Sequence, residues 1–391
     1  MYFGPFPALL RMPLNLIYPA GRGAWSRISG FLAGEIALFA FAGLVSSALK
    51  TTSLSPRART WLGSACLAGF VFGTPLFLLL GNLSIYNEAI IWGLAWSVAA
   101  LFFAWNSRAA DGRALTLSLL GFSISAACAL LSRVTYGAPL MLIAALMAVG
   151  LLRNKRLLPF LALATPVVLG VAFHLTLSYA RFGSFIGVNF DHYINPVHRE
   201  FAHEHGMFRS QRIPYGAVDY FGFHFPSFQS QPPFLRADRR PFNYPELYSL
   251  PFSETYLPVT WTATWLLAGA ALGVVCLFRK NCADFFERAA AAALAFQVIG
   301  ILSYYTLAQR YSVDLYPFLI FCFILFLRQR GQFLVRIYPV IIVFVAISIA
   351  INSLATISWL VDADRNVQPE TRAIWNRVLG RQGSQDKSGS R

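Results

Sequence analysis

Carboxylates are scarce in this chain. Its 391 residues hold 17 Asp and Glu against 32 Lys and Arg, and 13% of residues are charged. An ordinary soluble chain carries about 25%, so a water-soluble domain is excluded. Cysteines are few: Cys66, Cys128, Cys276, Cys282 and Cys322, four of them inside apolar runs. The longest polar connection has none, so no disulfide framework holds it. No internal repeat is visible, and no acidic residue precedes Glu35. The opening MYFGPFPALLRMPL lacks a basic residue ahead of its apolar part and does not read as a cleavable signal peptide.

What is present is apolar. Hydrophobic residues make up 57% of the chain and the mean hydropathy is +0.55. Runs of about 20 apolar residues recur, each long enough to cross the roughly 30 Å hydrocarbon core as a helix. Backbone groups in lipid must be satisfied within the segment, so the spans are helices. The fold class is all-α, a polytopic transmembrane bundle of about ten spans: 25–50, 59–82, 86–105, 114–132, 135–152, 157–179, 258–278, 285–308, 312–328 and 335–359. Residues 1–179 form an N-terminal membrane unit, 180–258 a large extramembrane loop, 259–361 a C-terminal membrane unit and 362–391 a partly disordered tail.

Basic residues in short loops set the orientation. Lys50, Arg57 and Arg59, then Arg108 and Arg113, then Arg153, Lys155 and Arg156, then Arg279 and Lys280, then Arg328 and Arg330 mark one side as cytoplasmic. The intervening loops hold no basic residue near 82–87, Arg133 alone and Arg310 alone, and with the long loop they are read as external. The N-terminal segment, with Arg11, Arg22 and Arg27, should also lie outside although it is basic. The setting is a plasma membrane, as in the bacterial inner membrane, with membrane lipids as partners. The net charge of +15 follows partly from these loops, and no soluble basic domain is present to bind nucleic acid.

Ionisable groups at the external membrane edge are the candidates for function, because they are costly there unless they pair or line a wet cavity. Glu88 lies in LSIYNEAIIWG, Arg133 in LSRVTYG, and Arg310 and Asp314 in AQRYSVDLYP. Snorkelling to headgroups or structural ion pairing is the plainer alternative, weakest for the short Glu88 side chain. Glu35, at mid-depth in the first span, reads as a structural pairing within the bundle, and His174 as a core histidine. In the long loop, DHYINPVHREFAHEHG offers Asp191, His192, His198, Glu200, His203, Glu204 and His205. These suit a divalent metal in ligand type but match no specific spacing, and solvated loop side chains are the commoner case. The aromatic run Tyr215 to Phe228 reads first as packing of the loop onto the bundle, with docking on the membrane surface or stacking on a sugar as the alternatives.

YFGPFPALLRMPL (2–14), IYNEAIIWG (85–93), LSRVTYGAP (131–139), YARFGSFIGVNFDHY (179–193) and QRYSVDLYP (309–317) together resemble stations along the GT-C glycosyltransferases, the group that includes glycosyltransferase family 39 and the protein O-mannosyltransferases. The resemblance implies transfer of a sugar from a polyprenyl-phosphate donor to an envelope acceptor at the external face. It implies Glu88 as the catalytic acid of the second external loop and Arg133 and Arg310 as binders of the donor phosphate, with Arg11, Tyr86, Asn87, Tyr311 and Asp314 as further site residues. A divalent metal serves some members of the group.

The chain departs from the family at its start: the first span and first-loop acid have no counterpart before Glu35. The expectation is that they lie upstream of Met1, or that the chain is a relative without transfer activity. An O-antigen ligase or polymerase-like envelope protein, a non-catalytic membrane protein and a transporter stay open as alternatives. A transporter should show broken helices paired between two halves or a repeat, and neither is visible in the sequence.

Overall fold

The computed structural model describes residues 4–19, 25–81, 83–185, 195–223, 225–236, 256–280, 282–328, 332–363, 367 and 369–381. The chain is an all-α polytopic bundle. In order its N-terminal helices are α1 Phe6–Ile17, α2 Trp25–Lys50, α3 Pro56–Phe72, α4 Leu76–Gly81, α5 Ile85–Ser107, α6 Gly112–Ser132, α7 Val134–Arg153 and α8 Leu157–Phe182. Within the long connection lie α9 Pro196–His205 and α10 Ile213–Phe221. A two-residue antiparallel pair follows, β1 Ser227–Phe228 with β2 Leu235–Arg236, in the register Ser227 to Arg236. The C-terminal set is α11 Val259–Thr262, α12 Thr264–Phe278, α13 Phe285–Ser303, α14 Tyr316–Leu327, α15 Gln332–Ser358 and α16 Pro369–Val378.

Among the described residues, eight helical segments are long and apolar enough to cross a membrane: α2, α5 to α8, α13, the segment Gln309–Leu327 and the segment Phe333–Asp362. Local chemistry sets their ends. Ser55 caps α3 by accepting from the Ala58 amide with Pro56 in the first turn, and Ser84 caps α5 by accepting from the Asn87 amide at 3.2 Å. Asp284 and Glu287 close a reciprocal capping box at the start of α13. Gly183 ends α8 at φ 64°, a left-handed turn that glycine adopts without steric cost.

Two of the ten expected spans are broken. The expected 59–82 is α3 and α4, parted at Gly73–Pro75, where proline removes a donor and blocks continuation. The expected 258–278 is α11 and α12, parted at Ala263. The two breaks meet: Trp265 Nε1 donates to the Gly73 carbonyl at 3.2 Å. Asn352 of α15 donates to the Thr262 carbonyl at 2.7 Å, and the Ser348 hydroxyl accepts from the Thr264 amide at 3.1 Å. Paired broken helices are therefore present; Pro75 is a visible interruption in the sequence, but the pairing is not. Their freed backbone groups are closed by protein side chains.

Burial divides the bundle into centre and rim. The most apolar window is 83% buried in Gln309–Leu327 and 78% in α5, against 11% in α8. A helix apolar on all sides belongs in the centre or against lipid, and both kinds occur here. Close approach of backbones draws the centre together. A Cβ on Gly273 would stand 1.8 Å from the Cys322 carbonyl oxygen, and one on Gly93 would stand 2.4 Å from the Tyr136 ring. Small residues allow such contact between helices in membranes. Glu35 is half-buried and makes no ion pair among the described residues, so its expected pairing is not found. His174 is half-buried on the rim helix α8 and is not a core histidine.

Candidate functional site

The two central segments carry the candidate residues at the same end. Glu88 lies in the first turn of α5, and the 3₁₀ turn Gln309–Leu315 leads into α14. Helix α1 lies across this end. Phe6 meets Trp92 and Trp96 edge-on at 5.0 and 5.5 Å, and Gly4 sits against the Leu131 and Ser132 carbonyls that close α6.

Packing of α1 brings Arg11 to Glu88, with Nη2 3.4 Å from Oε2, an ion-pair distance. The Glu88 side chain is 1% exposed and that of Arg11 20%. Arg11 also donates through Nη1 to Ser26 Oγ at 2.7 Å, and Trp92 Nε1 donates to Ser29 Oγ at 2.9 Å. Each serine oxygen is thus occupied as an acceptor, which leaves its proton for the carboxylate beside it. Neither Glu88 oxygen has a hydrogen bond of ordinary length and angle among the described residues. The Ser29 and Ser26 hydroxyls and the Arg11 guanidinium are the donors beside it.

A second group lies on the adjoining surface. Arg133, in the one-residue joint between α6 and α7, pairs through Nη2 with Asp314 Oδ2 at 3.3 Å. Thr135 Oγ1 donates to Asp314 Oδ1 at 3.2 Å, and Asp314 is fully buried. The Tyr311 ring receives two guanidinium groups, Arg133 at 5.0 Å and Arg310 at 5.2 Å. Arg310 also lies over the Tyr86 ring at 5.3 Å, two residues before Glu88. Arg133 Nη1 is buried and has no acceptor among the described residues.

Described parts of the long connection cap this end. Phe208 bridges Tyr304, the Arg209 amide donates to the Ser303 carbonyl at 3.0 Å, and a Cβ on Gly216 would stand 2.5 Å from the Leu302 carbonyl oxygen. His198 Nδ1 meets the Tyr305 hydroxyl at 3.1 Å, and burial lowers the His198 pKa below its ordinary value. Tyr304 packs edge-on against Tyr311 at 5.6 Å, which joins the cap to the arginine pair. Arg212, 4% exposed, ties the end of α9 by donating to the carbonyls of His205, Gly206 and Met207.

Arg11, Tyr86, Glu88, Arg133, Arg310, Tyr311 and Asp314 thus gather at one end, and Asn87 is buried among them at the start of α5. Of the loop residues considered for a metal, Asp191 and His192 lie outside the described residues. Among the described residues no three His, Cys, Asp or Glu converge on one point. Aromatic residues of the run 215–228 divide: Tyr220 is buried, while Phe223, Phe225 and Phe228 are exposed.

Sequence reasoning missed Ser26, Ser29, Trp92, Thr135 and Tyr304, which carry no local signal of proximity. It also missed Glu287, where Arg108 and Arg328 converge at the opposite end of the bundle. The capping-box spacing of Asp284 and Glu287 in DFFE was readable. The chain matches no family model, no curated protein and no solved structure.

Proposed function

We propose that this protein is an integral membrane glycosyltransferase of the GT-C type. It takes a sugar from a polyprenyl-phosphate donor and passes it to an envelope acceptor at the membrane face where Glu88 lies, read from the loop charges as external. One observation carries the reading: a buried carboxylate, ion-paired with Arg11, stands two residues from a tyrosine that carries a guanidinium. Glycosyl transfer needs that pair of chemistries.

In this reading Glu88 accepts the proton of the acceptor hydroxyl as its oxygen bonds to the anomeric carbon. The bond from that carbon to the phosphate oxygen breaks, and the lipid phosphate leaves with the electron pair. Arg310 and Arg133 stabilise the negative charge that collects there. Arg11 holds the Glu88 carboxylate in place and supplies its counter-charge. Asp314 and Thr135 orient Arg133, and Tyr311 fixes the two guanidinium planes relative to each other. The paired helix breaks would suit a carrier, but Trp265, Ser348 and Asn352 close them, which supports a packed joint.

The test is transfer of labelled sugar from a synthetic polyprenyl-phosphate donor by the full chain in liposomes. Glu88→Gln is expected to lower transfer by about 100-fold or more, and Arg310→Ala to lower it by a comparable factor. Unchanged transfer in both variants removes these residues from the site.

A further inference from the structure

The opposite end of the bundle holds a second built feature. Glu88 and Arg108 stand 20 residues apart on α5, about 30 Å along its axis. At the Arg108 end an open cavity of about 480 Å³ is lined by Arg108, Lys280, Asp284, Glu287, Arg288 and Arg328. Arg108 reaches both Asp284 and Glu287, and Arg328 Nη2 donates to Glu287 Oε2 at 2.9 Å and to the Cys282 carbonyl at 3.0 Å. Both guanidinium groups lie over the Trp105 ring, at 5.8 and 5.3 Å. This clamp ties the ends of α5 and α14 to the start of α13.

The clamp leaves charge over. Four cations line the cavity against two carboxylates, a surplus of two positive charges. The surplus sits at the rim: Lys280 and Arg288 are exposed and paired with no carboxylate among the described residues. The start of the 19-residue helix α13 is already closed by the Asp284–Glu287 capping box, so the surplus is carried by the side chains alone. Flanking this charge, Phe278 is 85% exposed and Phe285 80% exposed, one at each end of the turn that carries Lys280. A cationic pocket with an apolar lip beside a bundle of spanning helices fits an amphiphile with an anionic head.

We propose that this cavity binds the phosphate headgroup of an anionic phospholipid in the leaflet at the Arg108 end. Lys280 and Arg288 contact the phosphate, and Phe278 and Phe285 pack on the upper acyl chains. The glycosyl-transfer reading is not needed for this assignment, since the two features lie at opposite membrane faces. Basic residues at the membrane surface attract anionic lipid headgroups, and basic pockets between spanning helices bind them.

The test is native mass spectrometry of the purified full chain titrated with phosphatidylglycerol or phosphatidylcholine. The first phosphatidylglycerol is expected to bind about tenfold tighter than phosphatidylcholine. Lys280→Ala with Arg288→Ala should remove most of that preference and leave thermal unfolding in phosphatidylcholine unchanged, because the Glu287 clamp is untouched. Arg153→Ala with Lys155→Ala, on another basic turn, should keep the preference. Phe278→Ser with Phe285→Ser should weaken lipid binding, and millimolar inorganic phosphate should not displace the lipid. Three results overturn the assignment: preference retained without Lys280 and Arg288, equal loss in the Arg153 and Lys155 variant, or displacement by inorganic phosphate, which would make the occupant a soluble anion.

Discussion

A buried ion pair is held less by its own attraction than by the cost of leaving one partner alone. Asp314 and Arg133 are such a pair, with side chains 0% and 16% exposed. Asp314→Asn should destabilise the fold by about 3 kcal/mol because it strands the arginine. Asp314→Leu combined with Arg133→Met should cost less than the single change. Unfolding of the purified protein in detergent measures both, and an additive double variant would show that the two residues do not interact. Arg11 and Glu88 call for a different readout. Arg11→Met leaves the carboxylate without its counter-charge, so loss of sugar transfer should accompany any loss of stability. The residues themselves were legible in the sequence, because an ionisable group at a membrane edge stands out against apolar neighbours. Their partners were not: Arg11 and Glu88 lie 77 positions apart, and Arg133 and Asp314 lie 181 apart.

At the scale of elements, hydropathy counted the apolar runs and missed the interruptions. Pro75 marks a local break, but nothing along the chain signals that the Gly73 carbonyl it leaves must meet Trp265 of α12. Gly273 shows what sets such contacts. Gly273→Leu would drive a side chain into the Cys322 carbonyl and should cost about 2 kcal/mol or more, visible as a lowered unfolding midpoint. Gly150 meets nothing within 4 Å of an added Cβ, so Gly150→Ala should be neutral or slightly stabilising. Helix α9 has a pH-dependent attachment through His198 and Tyr305. Burial lowers the folded His198 pKa, so the neutral ring is the one the docked helix favours. Above the unfolded value, near 6.5, both states are neutral and the contribution is full. It is lost as pH falls from that value toward the lower folded one. Proteolysis within Pro196–His205 should therefore increase as pH falls below about 6.5, and His198→Gln should remove that dependence.

For the whole molecule, orientation is the quantity on which the functional reading depends. Tyr86→Cys and the native Cys282 lie at opposite ends of the bundle. A membrane-impermeant thiol reagent added to intact cells should label residue 86 and spare Cys282, and opened membranes should expose both. The reverse pattern would move Glu88 to the cytoplasmic face and end the proposal of external sugar transfer. The fold class needed no such test, since continuous apolar runs of about 20 residues satisfy their backbone in lipid as helices, where barrel strands would be shorter and alternating.

The sequence by itself determined that the chain is a helical membrane bundle, where most of its helices lie along the chain, and which few ionisable residues stand at their ends. Those features are local: they follow from composition, run length and the residues at each helix end. Tertiary structure alone decided that Arg11 meets Glu88, that Tyr311 lies between two arginines, and that the breaks at Gly73 and Ala263 close on each other. It also gathered four cations around one cavity at the far end, two of them on Glu287. Such meetings depend on which helices touch and how closely, and close approach is set by glycines and ring shapes distributed over several helices. Hydropathy, summed along one helix at a time, carries no record of them.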